Sequence, residues 1–204
     1  GVTEQANVEW YEPPGSGAAT WRDWLNIGLG VRSELDGFES HDGLAPWRHQ
    51  LHDLPELDAL FERTLKRITA LLEFVPERRY LIHGDLLHQN VLINKDATAV
   101  TGIFSWKCSA LGDFLYDLAW CTLWSSWFPA LNADLLWELA LADIGADPKL
   151  TPADLKHIAE RHHCYELQIA ASHLGWFITS NDAENRARIA VQIDELLSAG
   201  PRKL

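Results

Sequence analysis

Between Tyr80 and Asn94 the chain reads YLIHGDLLHQNVLIN, and within it His83, Asp85 and Asn90 stand in the spacing H-x-D-x-x-x-x-N. An Asp two residues past the His can take the proton of an attacking hydroxyl, and an Asn five residues further on can offer its side-chain carbonyl to Mg²⁺. One short loop would then supply both a base and a metal ligand for moving a phosphoryl group. The plainer reading is a turn after a strand, with Asp85 and Asn90 capping local backbone, since Gly, Asp and Asn are what turns use. Two β-prone runs, Tyr80-Leu81-Ile82 and Val91-Leu92-Ile93, bracket the polar segment and weigh toward the chemical reading. That reading requires Asp85 and Asn90 to face one cleft, with Ile82 and Ile93 as buried flanks.

The elements that must position this loop follow from the hydrophobic pattern. Pro55 to Phe74 carries Leu57, Leu60, Phe61, Leu65, Ile68, Leu71 and Leu72 on one stripe and charges off it, which predicts an amphipathic helix delivering the chain to the loop. After Asn90, the runs Val91 to Ile93 and Ala99 to Phe104, separated by Asn94-Lys95-Asp96-Ala97, predict a β-hairpin. Gly112-Asp113 then precedes a helical run from Phe114 to Trp124, where Asp113 suits an N-cap. Trp120, Trp124, Trp127 and Phe128 at these spacings read as core. Helices are predicted over Leu135 to Ile144, Ala153 to Ile178 and Ala183 to Leu197.

Ahead of the loop, Thr20 can cap a helix beginning TWRDWL. Gly28-Leu29-Gly30 is half of a phosphate-loop pattern, but no strand precedes it. Residues 34–53 read as a polar loop whose His41, His49 and His52 fit no metal-ligand spacing. The run Arg161 to Glu166 holds further candidate ligands, but adjacent residues on a helix face different ways.

Composition narrows the function classes. Seventeen Lys and Arg against 29 Asp and Glu give a net charge of −12, which argues against nucleic acid or an anionic membrane and suits a cationic ligand. With 204 residues, 47% of them hydrophobic and ten of them Trp, the chain can bury a sizeable core. No apolar run is long enough to span a bilayer, and three scattered Cys (Cys108, Cys121, Cys164) make no disulfide framework, so a cytoplasmic location is expected.

His83-Gly84-Asp85 through Asn90, the stretch VTGIFSWKCSALGDFLYDLAW from Val100 to Trp120, and more weakly ATWRDWL from Ala19 to Leu25 resemble the aminoglycoside phosphotransferase family, and within it the hygromycin phosphotransferase branch. The resemblance implies an α+β, mostly α fold: the helical carboxy-terminal lobe of a protein-kinase-like fold around a central catalytic β-hairpin, over residues 19–204, with residues 1–18 an irregular lead-in. It implies ATP or another nucleoside triphosphate and Mg²⁺ as cofactors and a hydroxyl-bearing small molecule as substrate, an aminoglycoside being favoured. Carried over residue by residue, Asp85 is the base and His83 its brace. Asn90 and Ser105 are the nucleotide and metal positions, and Asp113 and Asp117 give structural support, Asp117 from behind the loop.

One departure stands out: where the family carries Ile-Asp-Trp, with the Asp as main Mg²⁺ ligand, this chain has Phe104-Ser105-Trp106. A hydroxyl replaces a carboxylate. The family's amino-terminal nucleotide lobe is also not recognisable ahead of Trp21, so the chain alone is expected to be inactive. The alternative is a non-catalytic small-molecule-binding relative with a degraded metal site at Ser105.

Overall fold

The computed structural model describes residues 18, 20–30, 46–77, 80–128 and 130–204. The expected lead-in, apart from Ala18, and His41 lie outside them. Helix α1 (Trp21–Gly28) opens as its sequence predicts, with Thr20 Oγ1 accepting the Asp23 amide at 3.0 Å. Its C-terminal turn runs to Gly30 in the left-handed region (φ 66°), so the Gly-Leu-Gly run closes a helix.

Helix α2 (Pro46–His52) occupies part of the stretch expected as a loop. Tertiary contacts decide it: Leu51 is fully buried, Trp47 meets Phe61 edge-on at 5.3 Å, and the Arg48 guanidinium lies 4.2 Å over the Phe61 ring while bonding Glu62 at 2.7 Å. Helix α3 (Pro55–Leu71), extended by a 3-10 turn over Leu72–Phe74, buries Leu60, Phe61, Ile68 and Leu71 along the predicted stripe.

Two separate two-stranded sheets follow. Strand β1 (Tyr80–Ile82) pairs antiparallel with β4 (Ala110–Gly112), and β2 (Val91–Ile93) with β3 (Val100–Ile103), the expected hairpin. Ile82 is buried against the core, but Ile93 is 59% exposed. The hairpin stands as its own layer, so a side chain on β2 gains no cover from β1. Gly112 leaves β4 room for the Trp21 ring, which a Cβ there would approach to 2.6 Å. Helix α4 (Leu115–Trp124) continues from β4, and α5 (Ala133–Ala146) follows.

Helix α6 (Ile158–Thr179) is the axle of the lobe, packed by α1, α2, α3, α4 and α7 (Ala183–Ala199). It starts five residues later than predicted, because Asp154 accepts both the Thr151 amide and hydroxyl and holds the preceding residues in turns, and His157 sits at φ 53°. Every residue from Arg161 to Ala171 is buried. A helix covered all round must therefore pair its polar groups internally. Arg161 forks onto Asp113 with Nε to Oδ2 at 2.8 Å and Nη2 to Oδ1 at 2.7 Å, while Tyr165 donates to Asp113 Oδ2 at 2.7 Å. Thr122 Oγ1 donates to Glu166 at 2.7 Å.

Candidate active site

Strand β1 ends at His83, and the chain turns at Gly84 with φ 73°. A Cβ at Gly84 would lie 2.4 Å from the Cys108 carbonyl oxygen, so both the torsion and the close approach call for glycine. Asp117 on the first turn of α4 sits behind this turn, its Oδ2 accepting the His83 amide at 2.8 Å and its Oδ1 the Gly84 amide at 2.9 Å. His83 is itself buried. Its Nδ1 accepts the Asp85 amide at 3.2 Å, which leaves the proton on Nε2 to bond the Phe104 carbonyl at 2.8 Å.

The far side of the loop is closed by Asn90, whose Nδ2 donates to the Asp85 carbonyl at 2.7 Å and to Asp85 Oδ2 at 3.1 Å. Its own carbonyl accepts the Phe104 amide at 3.1 Å. Phe104 is thus tied to both His83 and Asn90, which brings Ser105 beside the loop. Ser105 takes a left-handed conformation (φ 68°, ψ 43°), and the next ring, Trp106, packs 4.8 Å from His83. Cys121 of α4 adds a further tie by donating to the Leu86 carbonyl at 3.0 Å.

Asp113 is not beside this loop's polar groups as a free acid. It is buried and fully engaged by Arg161, Tyr165 and the Leu115 amide, the last at 3.2 Å from Oδ1, so it caps α4 while neutralising Arg161. It cannot replace the carboxylate missing at position 105.

A Mg²⁺ ion asks for hard, preferably anionic, oxygens. With Asn90 Nδ2 committed to Asp85 and the Asn90 backbone carbonyl to the Phe104 amide, the side-chain Oδ1 of Asn90 is the atom left to face a metal, and Ser105 adds a neutral hydroxyl. Among the described residues no group of three His, Cys, Asp or Glu could hold a metal. Asn90 and Ser105, the two expected metal positions, therefore offer neutral oxygens only.

Asp85 also lines an open cleft of about 240 Å³, together with Leu87, Trp120, Trp124, Phe128, His173, Trp176 and Phe177. This corrects the reading of the α4 aromatics as core alone. Trp120 and Trp124 pack on the lobe with one edge and line the cleft with another, a distinction that helical periodicity does not carry. His173, Trp176 and Phe177 come from the end of α6, more than 80 residues further on, and nothing in their local sequence marks them.

Residues 30–150 match the APH phosphotransferase enzyme family, more than half of the chain. The chain belongs to this family. No curated protein matches it. The fold of this chain is also that of solved structures of aminoglycoside phosphotransferase APH(4)-Ia. A thermostable mutant in ternary complex with AMP-PNP and hygromycin B matches with a TM-score of 0.63 and 21% identity over 89% of this chain and 52% of that one. A second, in complex with ADP and hygromycin B, gives 0.64 and 20% over 91% and 54%. The apo form of a thermostable mutant gives 0.54 and 20% over 88% and 64%. The chain spans about half the length of the first two. The mostly helical lobe expected from the sequence is the fold found, and no described helix is long and apolar enough to cross a membrane.

Proposed function

We propose that the protein is a small-molecule kinase, transferring a phosphoryl group from ATP to a hydroxyl, with Asp85 as the group that orients the hydroxyl and takes its proton. The observation that carries this reading is the position of the Asp85 carboxylate: held by Asn90 at 3.1 Å, on a loop pinned from behind by Asp117, and lining a cleft that can take an acceptor. Loops that move phosphoryl groups work by positioning and electrostatics, and this one is tied by hydrogen bonds on both sides. The nucleotides in the solved relatives support ATP as donor. Their hygromycin B supports a hydroxyl-bearing small molecule as acceptor.

A second reading, a binding relative without catalysis, is favoured by one observation. Ser105 and Asn90 present only neutral oxygens where charge on the phosphates must be offset, so a metal would depend on the nucleotide for its anionic ligands. Phosphoryl transfer from ATP by the complete protein, followed with wild type, Asp85→Asn and Ser105→Asp side by side, separates the two. The kinase reading expects Asp85→Asn to lower turnover by roughly 10²–10⁴-fold and Ser105→Asp to raise it. Absence of turnover in both wild type and Ser105→Asp would establish the binding reading instead.

A further inference from the structure

The cleft beside Asp85 has a chemistry of its own. Of its eight lining residues, five are aromatic hydrocarbons or indoles (Trp120, Trp124, Phe128, Trp176, Phe177), one is Leu87, and one is a histidine. Among the described residues that line it, Asp85 is the single carboxylate. His173 adds no positive charge, because burial pulls its pKa below the ordinary value, outweighing the bond its Nδ1 makes to the Ile169 carbonyl at 2.8 Å. The rings are locked to one another: Trp124 stands edge-on to His173 at 4.7 Å and to Trp127 at 5.1 Å, and Trp127 stacks on Phe177 at 5.9 Å with planes 7° apart. Trp176 at the end of α6 is left 67% exposed, an unusual outlay of indole surface for a residue with no packing role.

Resting on the reading of Asp85 as the group that meets the acceptor hydroxyl, we infer that the acceptor is a neutral alcohol with a flat or alicyclic apolar body of one or two rings, not a polycation. Three observations converge. Several ammonium groups would need several carboxylates, and among the described residues the cleft is lined by one, already shared with Asn90. Apolar ring faces suit the aromatic walls. The volume, about 240 Å³, lies below the roughly 300–1,000 Å³ of drug-sized sites. The chain's overall acidity therefore resides elsewhere than in the walls of this cleft.

The test is isothermal titration of the complete protein, without nucleotide, with naphthaleneethanol and with hygromycin B, in wild type, Trp176→Ala and Val191→Ala. Trp176 is exposed, so its removal spares the core, and Val191, also exposed, lies on α7 and does not line the cleft. The inference expects naphthaleneethanol to bind, Trp176→Ala to weaken it by about tenfold, Val191→Ala to leave it unchanged, and hygromycin B to bind more weakly. Tighter binding of hygromycin B, no binding of naphthaleneethanol, or equal binding by Trp176→Ala overturns it. Because the readout is binding without ATP, loss of the kinase reading would appear only in the turnover assay, and loss of this inference only here.

Discussion

Replacing Asp117 by Ala tests whether the loop owes its shape to the carboxylate behind it. In the native protein that side chain accepts the amides of His83 and Gly84 at 2.8 and 2.9 Å, and both residues are buried. Alanine leaves two N–H groups without an acceptor, each costing about 1–3 kcal/mol, or about 2–6 together. Part of this is offset, because burial holds the Asp117 carboxyl above its ordinary pKa even though the two amide bonds pull it down. Shedding that desolvated charge returns on the order of 1–2 kcal/mol. At the midpoints of these ranges the expected net loss is about 2.5 kcal/mol, read by urea unfolding followed through tryptophan fluorescence. Asp117→Asn, which keeps one acceptor and turns an NH₂ toward the other amide, should fall between. Hydrogen exchange supplies the local readout, with the His83 and Gly84 amides losing protection ahead of the core of α6. A loss under about 0.5 kcal/mol, or unchanged exchange at those two amides, would refute the claim that Asp117 shapes the loop.

Two further outcomes follow from the same geometry. Gly84→Ala combines a left-handed torsion with a Cβ 2.4 Å from a backbone oxygen, and should destabilise by about 2 kcal/mol or more, lowering Tm by roughly 4–8 °C; an unchanged Tm in a calorimetric scan would mean the turn can reshape. Burial raises Glu166 to about 7, so the folded state holds its proton more tightly than the unfolded chain does; the stability this lends is fully present below the ordinary value of 4.5 and lost as pH rises through 7. Glu166→Gln, facing the same Thr122, His162 and Arg202, should therefore match wild type near pH 4.5 and be more stable by up to about 3 kcal/mol above pH 7. A difference between the two that does not vary with pH, measured by urea unfolding across that window, would count against the assignment.

What was legible in the sequence was local. The stripe from Leu57 to Leu72, the Thr20 cap and the strand-loop-strand around His83 depend on residues within a few positions of one another, and each appears where its pattern places it. What was not legible depends on distant partners. Helix α2 is held by Phe61 and Glu62 of the following helix. Ile93 alternates like a buried strand residue, but its sheet has no neighbour to cover it. Asp113 looks like a simple cap until Arg161, 48 residues later, forks onto it. The cleft is the extreme case, since its two walls come from α4 and the end of α6, and only packing makes them face each other.

The substitution at position 105 can then be weighed against the backbone that carries it. Ser105 occupies a left-handed conformation that disfavours most side chains by roughly 1–2 kcal/mol and that Asp and Asn tolerate best. The fold therefore retains a backbone suited to the family's carboxylate while carrying a hydroxyl. Around it, His83 and Asn90 still grip Phe104, and Asn90 still orients Asp85. These contacts do not involve the side chain at position 105. Ser105→Asp therefore places a negative charge beside the loop on a backbone that tolerates Asp, and tests position 105 as a metal position without asking the loop to move.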